Sequence, residues 1–248
     1  MRIKIHPDPN SANRTAADAL ARTLSEWGTQ NLVAAGGNTP LTLYELIAQR
    51  SLPLSHLGVF ALDEYVGVPP EDPRTCANLL RRTIAEPWRI PSAQFHAVSS
   101  REIEARASIE AHERRIAALG GIDVVVLGLG QNGHLGFNEP GSAPDSVGRI
   151  VELEPASIAA NRAWFNGEYS PARGVTIGLK TILSAKNVFL LAYGQNKASA
   201  VANMIEGPKC ASCPASWLQA QPNVAVFLDE AAAAQLGEKT TDKKRCSR

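Results

Sequence analysis

Asn132, His134 and Glu139 fall in one short glycine-rich run, GQNGHLGFNEPG at 130–141, which follows directly on the apolar stretch VVVLGL. Histidine is the side chain that gains and loses a proton near neutral pH. A carboxylate a few residues on can orient the imidazole and stabilise its charged form, a pairing of base and orienting group that recurs in active sites. The Asn132 amide can hold a substrate hydroxyl. The intervening glycines permit tight turns and close backbone approach. The pattern points to proton transfer on a small bound molecule. The plainer alternative, a loop histidine satisfied by local hydrogen bonds, is weakened by the number of polar groups at the same strand end. No serine or cysteine stands in a nucleophile-elbow context, which disfavours covalent acyl chemistry. One histidine with one carboxylate is too small a ligand set for a metal, and none is expected.

Three other loops carry groups that suit the same chemistry. In AAGGNTPLTLYELI, Gly36, Gly37, Asn38 and Thr39 lead into a helix start. Free N–H groups and the positive end of the helix dipole would hold a phosphate there. A plain tight turn between strand and helix is the alternative. The run lacks the lysine of a P-loop and is not G-x-G-x-x-G, so a nucleotide is not indicated. In GQNKASAV, Lys197 stands near a helix start, where a cation is slightly unfavourable unless an anion accompanies it. An exposed, solvated lysine is the alternative there. In ALDEYVGV, Asp63 and Glu64 follow an apolar run. A carboxylate partly desolvated at a strand end can be raised into the range of a general base. Asp63, nearer the strand, is the better candidate; a loop carboxylate capping the next helix is the other reading.

These loops must be positioned by the elements between them. Apolar runs at 2–6, 31–36, 57–62, 122–129, 174–179, 187–194 and 223–228 predict strands. Helical patterns occupy 12–27, 40–50, 75–86, 101–118 and 195–206, the first with Leu20, Leu24 and Trp27 on one face. Alternation of this kind predicts a doubly wound α/β fold: a largely parallel sheet with helices on both faces, modified Rossmann-like. In such folds ligands bind outside the carboxyl ends of the strands, where all four loops converge.

The bulk properties exclude several classes. Lys and Arg number 25 against 24 Asp and Glu, a net charge of +1, which gives no pull toward nucleic acid or a membrane surface. The 248 residues suit one domain over 1–236, with 237–248 as a flexible basic tail. The four cysteines, Cys76, Cys210, Cys213 and Cys246, are too few for a disulfide scaffold. Cys210 and Cys213 make a single C-x-x-C without the second ligand pair a zinc site needs. Reduced thiols are the expectation. The N-terminal MRIKIHPDPN has no apolar core of a signal peptide, and no run approaches the ~20 residues that cross a bilayer. A cytoplasmic location is expected.

Taken together, LDEYVGV, GLGQNGHLGFNEPGS, VTIGLKTILSAKNVFLLAYGQNKASAV and CPASWLQAQPNVAVFLDE resemble the glucosamine-6-phosphate deaminase/isomerase family, which shares its fold with 6-phosphogluconolactonases. The resemblance runs from about residue 30 to 230. DPRTCANLLRRTIAEP, RGVTIGLKTIL and PASWL are similar to the galactosamine-6-phosphate branch. The resemblance implies an amino-sugar phosphate as the small-molecule partner. It implies that His134, supported by Glu139 and Asn132, opens the pyranose ring. Asp63 would move the C2 proton to C1, and the amine would leave as ammonia. Gly36, Gly37, Asn38, Thr39 and Lys197 would grip the phosphate, and no organic or metal cofactor is implied. Some members carry Asp where this chain has Asn132; an amide cannot titrate and would orient instead. The resemblance also makes Arg162 a candidate phosphate ligand, although the AANRAWF segment places it one position early relative to a phosphate-binding arginine of many members, which would re-aim its side chain. The chain ends soon after FLDEAAAAQLG, without the longer C-terminal segment of the allosteric hexameric members, so a monomer or small homo-oligomer is expected. The rival readings are a 6-phosphogluconolactonase and a non-catalytic sugar-phosphate sensor. LDEY and GFNEPG favour a deaminase over the first, and the intact set Asp63, His134 and Glu139 favours an enzyme over the second.

Overall fold

The computed structural model describes residues 1–167, 169–238 and 240. The expected basic tail and Cys246 fall almost entirely outside the described residues. Seven strands form one wholly parallel sheet: β1 (Arg2–His6), β2 (Asn31–Ala34), β3 (Gly58–Ala61), β5 (Phe95–His96), β6 (Val124–Gly128), β9 (Asn187–Ala192) and β10 (Val224–Asp229). Their spatial order is β1-β10-β9-β6-β2-β3-β5. The chain builds outward from β2 through β3 to β5, then returns to the other side of β2 with β6. The winding reverses between β2 and β6, and that is where a doubly wound sheet opens a ligand crevice.

Alternate residues of the central strands face opposite ways, so each strand feeds two cores. Val33, Phe60, Val125, Leu127 and Leu190 pack with α4 (Glu102–Ala118), α6 (Leu179–Leu183) and α7 (Ala198–Ile205). Leu32, Ala34, Val59, Val126 and Leu191 pack with α1 (Pro9–Leu24) and α2 (Leu41–Ala48). Burial on both faces explains why VVVLG reads as a continuous apolar run. The helix α1 starts earlier than its apolar periodicity indicates, because Asp8 caps it through the Ser11 N–H at 2.9 Å and Pro9 occupies the first turn. It also ends earlier. Both the N–H and the hydroxyl of Ser25 bond back to the Ala21 carbonyl. Trp27 therefore lies beyond the helix and is fully exposed, not on its buried face.

A second, antiparallel sheet departs from the expected single one. It consists of β4 (Asp63–Tyr65), β8 (Arg173–Thr176) and β7 (Arg149–Glu152), in the order β4-β8-β7. The apolar run at 174–179 thus belongs here and not to the parallel sheet. It ends at Thr176, and Ile177 N–H then bonds to the Leu62 carbonyl at 3.0 Å. Two short helices, α3 (Cys76–Leu80) and α5 (Pro155–Asn161), flank this sheet at the mouth of the crevice. Tyr65, Cys76, Phe137, Leu153 and Phe165 form its own small core. Among the described residues no helix is long and apolar enough to cross a membrane.

Candidate active site

One crevice opens at the reversal between β2 and β6. Gly36, Gly37, Asn38, Thr39, Asp63, Asn132, His134 and Lys197 all line it. Four loops from distant parts of the sequence meet there because they follow neighbouring parallel strands. The β2 loop is fixed against β6 by Ala35 N–H bonding to the Val126 carbonyl at 3.1 Å. Gly37 has φ +87, a left-handed conformation that side chains disfavour, and its turn leads toward the start of α2. Lys197 precedes α7, half-buried; the loss of hydration lowers its ammonium below the usual lysine range. A cation held this way gains from an anionic ligand. Arg162 lies elsewhere. It is exposed at the end of α5 and does not line the crevice, whereas Asn161 and Trp164 of the same segment do. The physical reason is the helical turn itself: a residue one position along points some 100° away.

Asp63 and Glu64, adjacent in sequence, have opposite fates on β4. The Glu64 carboxylate accepts from the N–H groups of Tyr65 (2.8 Å), Cys76 (3.0 Å) and Ala77 (2.9 Å). It caps α3 from outside, the role the sequence had left open for this acidic pair. Asp63 points into the crevice and is only 7% exposed. Burial pushes its carboxyl up to about 7, the negative charge of Glu64 adds to the rise, and a hydrogen bond from the Cys76 thiol pulls the other way.

The His134 side chain is held by a chain of bonds. Its Nδ1 lies 3.2 Å from Glu139 Oε2 and 3.3 Å from Ser157 Oγ. Asn132 Nδ2 donates to the same Glu139 oxygen at 2.7 Å, and Asn132 Oδ1 accepts from His134 N–H at 3.2 Å. Glu139 is buried behind the imidazole. Burial acts to raise its carboxyl, but the bond and charge of His134, with the bonds from Ser157 and Asn132, outweigh it and hold it below the usual carboxylate range. An ionised carboxylate can only accept, so Nδ1 carries the proton and Nε2 keeps its lone pair for a ligand. The Asn132 amide thus bridges Glu139 and the His134 backbone. An aspartate in its place would set two carboxylates against each other.

The loop from 130 to 141 is stitched to its surroundings at several points. Phe137 N–H donates to Thr176 Oγ1 at 3.3 Å, and Asn138 Nδ2 donates to the Ile177 carbonyl at 2.8 Å. Thr176 also pairs with Asp63 across β8 and β4, so one buried residue indexes both proton-handling groups. The C-x-x-C turn braces the loop from the other side. Ala215 N–H donates to Gly133 O at 2.9 Å, and Gly141 N–H donates to Ala211 O at 2.8 Å. Cys210 and Cys213 are free thiols in that brace. Gly130 is required for contact: a Cβ there would lie 2.5 Å from the His134 ring. Gly130→Ala should displace the imidazole and lower kcat by roughly tenfold or more while the protein stays folded, checked by steady-state kinetics beside a circular-dichroism melt.

Lining residues that the sequence did not single out as site groups include Tyr65, Arg74, Cys76 and Ser157. Arg74 is gripped by Asp72 (Nη2 to Oδ2, 2.7 Å) and lies over the Phe165 ring. Its carbonyl accepts from Trp164 Nε1 at 2.8 Å, which ties the α5 segment to α3. The D-P-R-T-C run carried a visible signal, since Thr75 is a helix cap, with Asn78 N–H bonding to Thr75 Oγ1 at 3.2 Å.

Fold and site define an α/β protein whose switch-point crevice brings a glycine-rich loop at a helix start together with a buried carboxylate and a carboxylate-bound histidine. The chain belongs to the glucosamine-6-phosphate isomerase/6-phosphogluconolactonase family, whose profile matches residues 9–227. It is 42% identical over 241 residues to a glucosamine-6-phosphate deaminase of Cutibacterium acnes, covering 95% of this chain and 92% of that one. It is 38% identical over 242 residues to a protein of the same name from Streptomyces coelicolor, covering 95% and 93%. Among solved structures it is similar to a monomeric glucosamine-6-phosphate deaminase, with 28% identity, a TM-score of 0.90 and coverage of 95% and 100%. A 6-phosphogluconolactonase from Trypanosoma brucei shares the fold at 22% identity and a TM-score of 0.78, covering 95% and 98%.

Proposed function

We propose that the protein deaminates and isomerises a hexosamine 6-phosphate, giving a ketohexose 6-phosphate and ammonia. The carrying observation is the placement of a buried, basic Asp63 in the same crevice as the Glu139-oriented His134 and the Gly36–Thr39 anion loop. The names of the relatives favour glucosamine 6-phosphate as substrate. The galactosamine epimer, suggested by DPRTCANLL, differs in one hydroxyl and is the competitor to test.

The phosphate binds at the start of α2 with Lys197 beside it. His134 Nε2 takes the anomeric hydroxyl proton as the C1–O5 bond breaks, and a proton reaches O5, giving the open aldehyde. Asp63 then removes the C2 proton. The electron pair forms a C1–C2 double bond as the aldehyde oxygen is protonated, giving an enolamine. Asp63 returns the proton to C1, leaving an iminium at C2. Water adds to that carbon and ammonia departs, leaving the ketone. The steps consume one water and need no oxidant or reductant. Hydrolysis of a lactone has no carbon acid to deprotonate and would ask of Asp63 only the activation of a water.

The test is ammonia release from the purified protein on glucosamine 6-phosphate and galactosamine 6-phosphate separately, with 6-phosphogluconolactone hydrolysis as control. Ammonia from either amino sugar supports the reading, and the ratio of kcat/KM identifies the epimer. Lactone hydrolysis without ammonia overturns it. In the same assay Lys197→Ala should raise KM roughly 10- to 100-fold with a smaller change in kcat, as expected for loss of one charged hydrogen bond to phosphate.

A further inference from the structure

Ser157 stands on α5, only 6% exposed, with its Oγ 3.3 Å from His134 Nδ1. Glu139 Oε2 reaches the same nitrogen at 3.2 Å, longer than the about 2.7–2.9 Å of a strong charge-assisted bond. The cause is how the Glu139 oxygens are used. Oε2 also accepts from Asn132 Nδ2 at 2.7 Å, while Oε1 is buried with no partner among the described residues. The carboxylate alone therefore holds the ring loosely, and the Nδ1 proton is shared between two oxygens at nearly equal distance, as in a three-centre hydrogen bond. Resting on the deaminase reading above, we infer that Ser157 is a second positioning residue for His134, fixing with Glu139 the tautomer that leaves Nε2 open to the anomeric proton.

Because Nδ1 carries the proton, Ser157 Oγ must accept from it. The other constraint on the ring cannot do this work. Gly130 lies so close beneath the imidazole that a Cβ there would meet it at 2.5 Å, which fixes the plane of the ring but is blind to which nitrogen is protonated. The two oxygens also come from different elements. Glu139 belongs to the 130–141 loop, whereas Ser157 shares α5 with Ala156, Ala160 and Asn161, all of which line the crevice. The segment that follows α5 is anchored by Trp164 Nε1 donating to the Arg74 carbonyl at 2.8 Å. The tautomer of His134 thus depends on the seating of α5 as well as on the loop that carries the histidine.

The test measures the 15N shifts of the His134 ring in ligand-free Ser157→Ala and Ser157→Thr, beside steady-state kinetics. Alanine removes only the hydroxyl and is the best helix former, so α5 keeps its fold. In that variant the ring should move from the Nδ1–H tautomer toward a mixture. Its kcat should fall roughly two- to tenfold, the loss expected for one neutral hydrogen bond, with KM little changed. Threonine keeps the hydroxyl and should hold the wild-type tautomer. A packing role alone would leave the ring shifts of the alanine variant at their wild-type values, and that result overturns the proposal. So does a threonine variant with the same tautomer mixture as the alanine one. If the wild type releases no ammonia while the alanine variant still shifts the tautomer, the deaminase reading fails and the Ser157–His134 coupling stands.

Discussion

Asp63→Asn should abolish ammonia release, with a loss of about 10³-fold or more in kcat, and should at the same time make the protein more stable above neutral pH. On the proposed mechanism the first effect follows from removing the base that takes the C2 proton, since a positioned acid–base group contributes about 10² to 10⁴ and no other carboxylate among the described residues lines the crevice. Substrate affinity should change little, because the phosphate loop is untouched. The second effect follows from linkage. The folded-state carboxyl is raised from 3.8 to about 7, mainly by burial. Its contribution to stability is therefore fully present below about pH 4 and is lost as pH rises through about 7. The cost at pH 8 is up to roughly 4 kcal/mol, at 1.36 kcal/mol per pH unit. Asparagine occupies the same space with no charge to bury. The melting temperature of the variant should exceed that of wild type by several degrees at pH 8 and match it near pH 4. For wild type, the acid limb of kcat/KM should lie near pH 7. An acid limb near 4, or a variant with near-normal turnover, would remove Asp63 from the role of base.

The loops that carry this chemistry were legible in the sequence because each is a local break in an apolar run. Gly36-Gly37, the 130–141 run and Gly194 to Lys197 each follow a buried strand, and the parallel order brings strand ends together without further information. What was not legible is set by long-range pairing. Three residues of β4 form a strand only because β8, more than a hundred positions later, pairs with them in antiparallel register. Without that pairing Asp63 is set apart from Glu64 only by standing one position nearer the apolar run. The separation of their roles depends on where the α3 N–H groups stand, and α3 is positioned by packing against β4. Ser157 reaches His134 from α5, a short helix whose sequence PASIAAN has no amphipathic period to reveal it. Trp27 was placed by extrapolating a spacing past the residue where α1 ends. Arg162, named from a resemblance that already put it one position early, sits at the exposed end of α5.

Glu139→Gln should produce the opposite pair of effects in stability while also impairing catalysis. Glu139 is held below the ordinary carboxylate range, so its folded pKa lies under its unfolded value. The stability it supplies is present above the unfolded pKa, near 4.5, and is lost as pH falls through the folded one. At pH 7 the glutamine variant should melt below wild type, and the difference should close as the pH is lowered into the acid range. For catalysis the charge matters through Nδ1 of His134. A carboxylate can only accept there, whereas an amide can present either its oxygen or its NH2 group. Once the NH2 faces Nδ1, the proton moves to Nε2 and the ring can no longer take the anomeric proton. Wrong-tautomer histidines in catalytic triads lose about 10⁴-fold. Here Asn132 Nδ2 already donates to the same position and favours the oxygen of glutamine turning toward it. A loss of roughly 10² in kcat is therefore expected. The 15N shifts of the His134 ring should move from one tautomer toward a mixture in step with that loss. Retention of more than a tenth of wild-type kcat with an unchanged tautomer would mean that Ser157 and the backbone suffice to orient the ring. Asp63→Asn, more stable and inactive, and Glu139→Gln, less stable and slow, would then separate the two carboxylates by the environments that the fold builds for them: one buried without adequate partners so that it stays basic, the other buried among donors so that it stays charged.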